Sequence, residues 1–250
     1  MCGRYALTLP PQAVREFMGF LELPNFPPRY NIAPTQPIAV VRLSSGARSF
    51  TLMRWGLLPS WVKDPKDFPT LINARSEGAA AKPAFRAAMR RRRCLIPADG
   101  FYEWQKTHNG RKVPHLIRRP GGAPFAFAGL WESWMGADGS EIDTATIMTT
   151  AANDHLRPLH DRMPVIVMPD DFDRWLDATD RPADDVADLL RAAPEDYFEA
   201  FPISTRVNSV ANDDADIQAP LAEPTTPPAE ERKPQPKKAK GGDGGQMSLL

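Results

Sequence analysis

The sequence predicts an α+β fold: a single domain with a curved, barrel-like antiparallel sheet flanked by helices. Three observations lead there. Short apolar runs recur between Ile38 and Met168, separated by turn residues. Helical periodicity is confined to brief stretches, and the strand–helix–strand alternation of a doubly wound sheet is missing.

Taken in order, a first short strand is followed by Pro11–Leu21, where Val14, Phe17, Met18 and Leu21 recur at helical spacing. Ile38–Leu43 and Ser49–Trp55 read as strands joined through the SSGAR turn. Lys82–Arg92 predicts a helix, with Pro83 in its first turn and Phe85, Ala88 and Met89 on one face. Five strands follow, at Cys94–Pro97, Phe101–Gln105, Val113–Ile117, Phe125–Trp131 and Thr144–Thr150. The HNG at 108–110 and the GG at 121–122 read as hairpin turns between them. A strand at Pro164–Met168 precedes helices around Asp170–Ala178 and Ala183–Ala192.

From Pro220 the chain reads PLAEPTTPPAEERKPQPKKAKGGDGGQ, with almost nothing to bury. Such a segment cannot offset its ordering entropy and is expected to be disordered. The folded unit therefore spans 1–219 and the tail 220–250. Formal net charge is zero over 250 residues, so nucleic-acid binding would need a local basic patch instead of a global field. Two cysteines, Cys2 and Cys94, exclude a secreted disulfide framework and fit a reducing, cytoplasmic setting. No apolar run reaches membrane-spanning length, and the histidines lack zinc-binding spacing, so no metal and no cofactor are expected.

Four features carry candidate chemistry. Removing Met1 from the opening MCGRYALT would put an α-amine beside the thiol of Cys2. Those two nucleophiles can close a five-membered ring around an aldehyde carbon. In ADGFYEW, strand alternation sets Phe101, Glu103 and Gln105 on one face and Tyr102 and Trp104 on the other. Glu103 is then either a solvated carboxylate or a desolvated acid with a raised pKa. In INARSE, Asn73 and Arg75 suit a helix start or a turn; the pair is either a cap with a solvated arginine or an amide and a phosphate-gripping guanidinium. In HDRMP, His160 stands where a loop enters an apolar strand, a common place for sites. RWGLLPSW adds two tryptophans that pack in a core or, if exposed, stack on unpaired bases.

MCGRYA, RYNIAPTQ, RWGLLPSW, INARSE, ADGFYEW, HDRMP and VNSVANDDADIQAP occur in that order. This series resembles the SOS-response-associated peptidase family of abasic-site processing proteins, over residues 2–220. The resemblance implies a β-rich single domain that removes its initiator methionine and traps the aldehyde of an abasic site in single-stranded DNA. The product would be a thiazolidine crosslink. Carried over by position, Cys2 is the nucleophile, with Asn73, Glu103 and His160 completing the catalytic set. DNA contacts are implied at Arg4, Asn31, Pro34, Trp61, Arg75, Trp104, Thr149 and Arg162. Related sequences often carry a second aromatic where this chain has Val62, which should weaken one stacking contact. The basic run Arg90–Arg93 is a further candidate for DNA, against a solvated helix end; Cys94 reads as a buried structural thiol.

An α-amine near pKa 8 and a thiol of about 8.5 are both largely protonated at neutral pH. A neighbouring carboxylate that accepts a proton is therefore useful, a role that suits Glu103. His160 would move protons on the sugar, and Asn73 would hold the terminus or a developing oxyanion. Either the protein itself or a methionine aminopeptidase could remove Met1. At the far end, Gln246-Met-Ser-Leu-Leu250 resembles short peptides that dock on the bacterial replication clamp through Gln246, Leu249 and Leu250. Single-stranded DNA, and the clamp through the tail, are thus the expected partners of a monomer associated with the nucleoid. Two rivals share part of the pattern: class II glutamine amidotransferases also begin Met-Cys-Gly, and a non-catalytic DNA and clamp adaptor would leave Cys2 idle.

Overall fold

The computed structural model describes residues 2–221. Met1, the tail from 222 onward and the candidate clamp peptide with Gln246, Leu249 and Leu250 lie outside the described residues. The strands are β1 (Tyr5–Leu7), β2 (Arg29–Ile32), β3 (Pro37–Ser44), β4 (Ala47–Trp55), β5 (Asn73–Arg75), β6 (Arg93–Ala98) and β7 (Gly100–Lys106). They continue as β8 (Lys112–Arg118), β9 (Phe125–Met135), β10 (Glu141–Ala151), β11 (Arg162–Pro164), β12 (Ile166–Val167) and β13 (Glu199–Pro202). Helices are short: α1 (Pro11–Met18), α2 (Ser76–Ala79), α3 (Arg86–Arg91) and α4 (Phe172–Leu176).

The expected α+β architecture is what forms. Strands β9, β10, β4, β3 and β6 pair in sequence, and β6 returns to β9, closing a barrel. A second, antiparallel sheet runs β13-β8-β7-β1-β2. Apolar alternation packs one face of that sheet toward the main core: Tyr5 and Phe101 are enclosed there, and Tyr5 meets Trp55 and Phe127 edge-on. The opposite face, with Ala6, Tyr102 and Leu116, is covered by Ile203, Val207 and Ile217 from the last described segment.

Several local expectations need correction. Pairing is not purely antiparallel, since β10 runs parallel to both β4 and β5. The GG at 121–122 is no hairpin turn: β8 and β9 belong to different sheets, and the chain crosses between them in a 3-10 turn. The strand expected at Pro164–Met168 breaks at Val165, whose N–H donates to Met148 O and whose carbonyl accepts from Ala128 N. The helix expected over Lys82–Arg92 covers only Arg86–Arg91. The segment Ala183–Leu189 winds as 3-10 helix, and α4 holds only Phe172–Leu176. Among the turns that do form as read, Ser45 and Gly46 take φ of 50° and 80° between β3 and β4, the left-handed pair that matches sheet twist.

Two charged residues are structural. Arg93 is no solvated helix end: it is buried, and its guanidinium donates to the carbonyls of Trp175, Met89, Asp177 and Arg181. Burial lowers that guanidinium to about 10. Arg92 pairs with Glu132, so of the basic run only Arg90 and Arg91 face outward. Cys94 is a buried thiol as expected, and a Cβ on its cross-strand partner Gly129 would come within 2.8 Å of its sulfur.

Asp99 ties the start of the chain to the sheet. Its Oδ2 accepts from Thr8 N at 2.5 Å, Thr8 Oγ1 at 2.8 Å and Leu9 N at 2.9 Å. Burial raises its pKa against those bonds. Removing the carboxylate strands three donors, so Asp99→Ala should lose about 2–4 kcal/mol in a denaturant titration, and Asp99→Asn distinctly less. Equal stability of Asp99→Ala and the parent would show that these donors find other partners.

Candidate active site

The site forms at the seam between the two sheets, where the first residues of the chain enter β1. Strand β5 lies parallel to β10 with Asn73 level with Ile147. From there the Asn73 amide donates to the carbonyl of Cys2 at 2.8 Å. Asn73 is thus a strand residue gripping the N-terminal segment, not a helix cap; α2 starts at Ser76, and no side chain caps it. Strands β1 and β7 pair antiparallel with Tyr5 opposite Phe101, and Tyr102 N donates to Arg4 O. Continuing that register brings Glu103 level with Gly3, beside Cys2.

Glu103 is the desolvated acid of the two alternatives, with only 4% of its surface exposed. Burial raises it to about 6, and the charge of Asp161 reinforces the rise. Cys2 is completely buried. Burial, and next the Glu103 carboxylate, push its thiol well above the ordinary range, so it rests as a neutral thiol. The sulfur faces Arg4 O at 3.8 Å.

His160 ends the loop that leads into β11. The loop closes on itself, Ala152 N donating to Asp161 O at 2.9 Å, and Gln105 of β7 reaches its Pro158 carbonyl. Burial lowers the His160 pKa. Its Nδ1 lies 3.0 Å from the backbone N–H of Arg162. Asp161 Oδ1 lies 2.8 Å from the same Nδ1 and becomes its ion-pair partner only once the ring is protonated. One seam therefore holds Cys2, Asn73, Glu103 and His160 together.

The residues implied for DNA contact stand in different states. Arg4 donates to Asn31 Oδ1 at 2.7 Å and to Val207 O, and its guanidinium carbon lies 6.0 Å from the centre of the Trp104 ring. Asn31 is fully enclosed; its amide donates to the carbonyls of Val207, Ser209 and Asn212, so it pins the covering segment and orients Arg4. Trp104 is half-buried and donates to Asn208 Oδ1. Pro34 is half-buried in the turn before β3, next to Thr35 with φ of 72°. Arg75 is exposed on β5, level with the buried Thr149 of β10. Thr149 O accepts from Arg162 at 2.6 Å. Trp61 stands 58% exposed, braced edge-on by Phe68. Val62 packs beneath it against Leu58 and Trp134, and its carbonyl accepts from Trp134 Nε1. It is thus a core residue here, not part of the outward-facing surface.

Whole-chain comparisons show the family. The family model for SOS response associated peptidase (SRAP) matches residues 1–210. The chain belongs to the SRAP family. Among SRAP relatives, the abasic site processing protein YoaM of Bacillus subtilis is 38% identical over 87% of this chain and 97% of its own length. The abasic site processing protein YoqW of the same species is 37% identical over 87% of this chain and 98% of its own. A crystal structure of a protein from Bacteroides thetaiotaomicron shares the fold, with a TM-score of 0.78, 23% identity and coverage of 88% of this chain and all of that one.

Two residues at this seam escaped the sequence reading. Glu77 and Asp161 lie inside INARSE and HDRMP, yet their weight comes from contacts to Arg162 and His160 across the fold. Adjacent charges of opposite sign within each motif were the available signal, and such pairs are also ordinary on solvated surfaces.

Proposed function

We propose that this protein processes abasic sites in single-stranded DNA, capturing the ring-opened aldehyde through Cys2 once Met1 has been removed. The observation that supports the reading most is the placement of a buried acid, Glu103 at about 6, beside the Cys2 thiol, with Asn73 gripping the Cys2 carbonyl. Hydrolysis of the Met1–Cys2 peptide bond consumes one water and frees the amine of Cys2. That amine adds to the aldehyde carbon, the resulting carbinolamine loses water, and the thiol closes on the same carbon. The two carbon–heteroatom bonds formed replace the carbonyl, and one water is released per thiazolidine. Glu103 is suited to take the proton from the amine and return it to the departing hydroxyl, because its pKa lies near working pH. His160 is suited to exchange a proton with the sugar oxygen.

Intact-mass spectrometry tests this directly. Loss of Met1, followed by a heat-stable adduct with a single-stranded oligonucleotide carrying one abasic site, is the expected result. A protein lacking Met1 that gives no adduct would refute the capture step.

The exposed indole of Trp61 fits the stacking part of the reading. Base–aromatic stacking contributes about 1–3 kcal/mol per base. Trp61→Ala should therefore weaken binding of single-stranded DNA by about tenfold while leaving the melting temperature nearly unchanged. Unaltered fluorescence anisotropy titrations would remove Trp61 from the DNA path.

A further inference from the structure

Arg162 is held by an acid that no DNA-binding role requires. Its guanidinium carries a bidentate pair to Glu77, NH1 to Oε1 at 2.5 Å and NH2 to Oε2 at 2.9 Å. On its other side NH2 donates to Thr149 O at 2.6 Å. The Arg162 side chain is only 14% exposed, whereas Glu77 keeps 54% of its side chain in solvent. The arginine is thus fixed in the wall and the acid covers its open edge. Among the described residues Arg162 Nε finds no partner, although it is buried. Arg75, exposed and level with Thr149, adds a second positive charge that Glu77 also feels.

The guanidinium fork accepts a carboxylate or a phosphate in the same two-point geometry. An exposed carboxylate on that fork therefore sits where a phosphodiester would sit. We propose that Glu77 is a built-in phosphate surrogate: it occupies the Arg162 fork in the unbound protein and must swing out before a DNA phosphate can dock. The acid resides at the start of α2, a single-turn helix on the surface, so its side chain can leave without disturbing β5 or β10.

The consequence is selectivity, and it rests on the abasic-site reading above. Every strand that binds must first displace Glu77, so intact single-stranded DNA is held weakly. An abasic strand meets the same barrier but is then retained covalently. Displacing an internal carboxylate also releases fewer counterions than filling an unoccupied arginine does. Salt dependence should therefore be shallower with Glu77 present.

The test compares wild type, Glu77→Gln, Arg162→Gln and the double variant. Each is titrated by fluorescence anisotropy with an intact, fluorescein-labelled single-stranded oligonucleotide over a salt series, after thermal melts establish that all four fold. Glu77→Gln should bind about tenfold tighter at low salt, with log K against log salt steeper by about 0.7, the increment for one more phosphate contact on a single strand. In the Arg162→Gln background, removing Glu77 should change nothing. Equal or weaker binding by Glu77→Gln, with wild type binding normally, overturns the surrogate role alone and makes Glu77 a mere orienter of Arg162. Tightening that persists without Arg162 also overturns it, because the effect is then general repulsion. Absence of DNA binding by wild type overturns this inference together with the reading on which it rests.

Discussion

Cys2→Ala should abolish the heat-stable adduct with abasic single-stranded DNA while leaving a weaker, reversible one. The substitution removes the sulfur and, once intact mass shows that Met1 has left the variant as well, keeps the free α-amine. The amine can still condense with the aldehyde to an imine, which water reverses. Only the thiol converts that imine into a closed ring in which both bonds must break to release the strand. After heating, the Cys2→Ala adduct should therefore fall at least about a hundredfold relative to the parent. Borohydride, which reduces an imine to a stable amine, should rescue a covalent product. Stability should hardly move, since deleting one buried sulfur without an essential hydrogen bond costs about 1 kcal/mol. Two outcomes would contradict the reading. A heat-stable adduct in Cys2→Ala would place the nucleophile elsewhere. Loss of the borohydride-trapped product as well would mean that the amine never reaches the aldehyde.

That prediction depends on residues whose role could be read locally, and the contrast with the rest of the site is physical. The barrel was legible because alternation and turn residues are short-range signals: the β3–β4 hairpin is written in one Ser-Gly pair and two apolar runs. Glu103 could be assigned to a face by counting along β7, and the aromatics on either side of it hinted at desolvation. The parallel docking of β5 on β10 had no such signal, because Asn73 and Ile147 are far apart in the chain. Without it, the residues alone left Asn73 as either a cap or an orienting amide. The enclosure of Asn31 and Arg93 had no local signal either. Polar residues on strand edges usually face water, and here distant carbonyls saturate both. Motif resemblance named the residues, whereas the contacts that hold them, Asn73 on the Cys2 carbonyl and Glu77 on Arg162, are visible only in the fold.

Glu103→Gln should slow crosslinking by about two to three orders of magnitude, the usual range for losing a positioned acid–base group, and should at the same time stabilise the fold. Both effects follow from one fact. Burial has moved the carboxyl from the usual 4.5 to about 6, so the folded protein prefers the neutral acid. A group raised in this way adds stability below pH 4.5, and that contribution is lost as pH rises through about 6. At pH 8 the parent carries a buried carboxylate at a cost of about 2 kcal/mol, which neutral glutamine avoids. Glu103→Gln should therefore resist denaturant better than the parent at pH 8 and match it near pH 4. The rate shows the complementary dependence: the parent should gain activity through about pH 6 as Glu103 ionises, and the variant should lack that step. A variant that is slow but less stable at pH 8 would make Glu103 a structural partner of the N-terminal segment. One that is stabilised yet as fast as the parent would leave the strained acid without a chemical task. Only slow and stabilised together identify a carboxylate kept ionised in an apolar wall for proton transfer, with the fold less stable at working pH as the consequence.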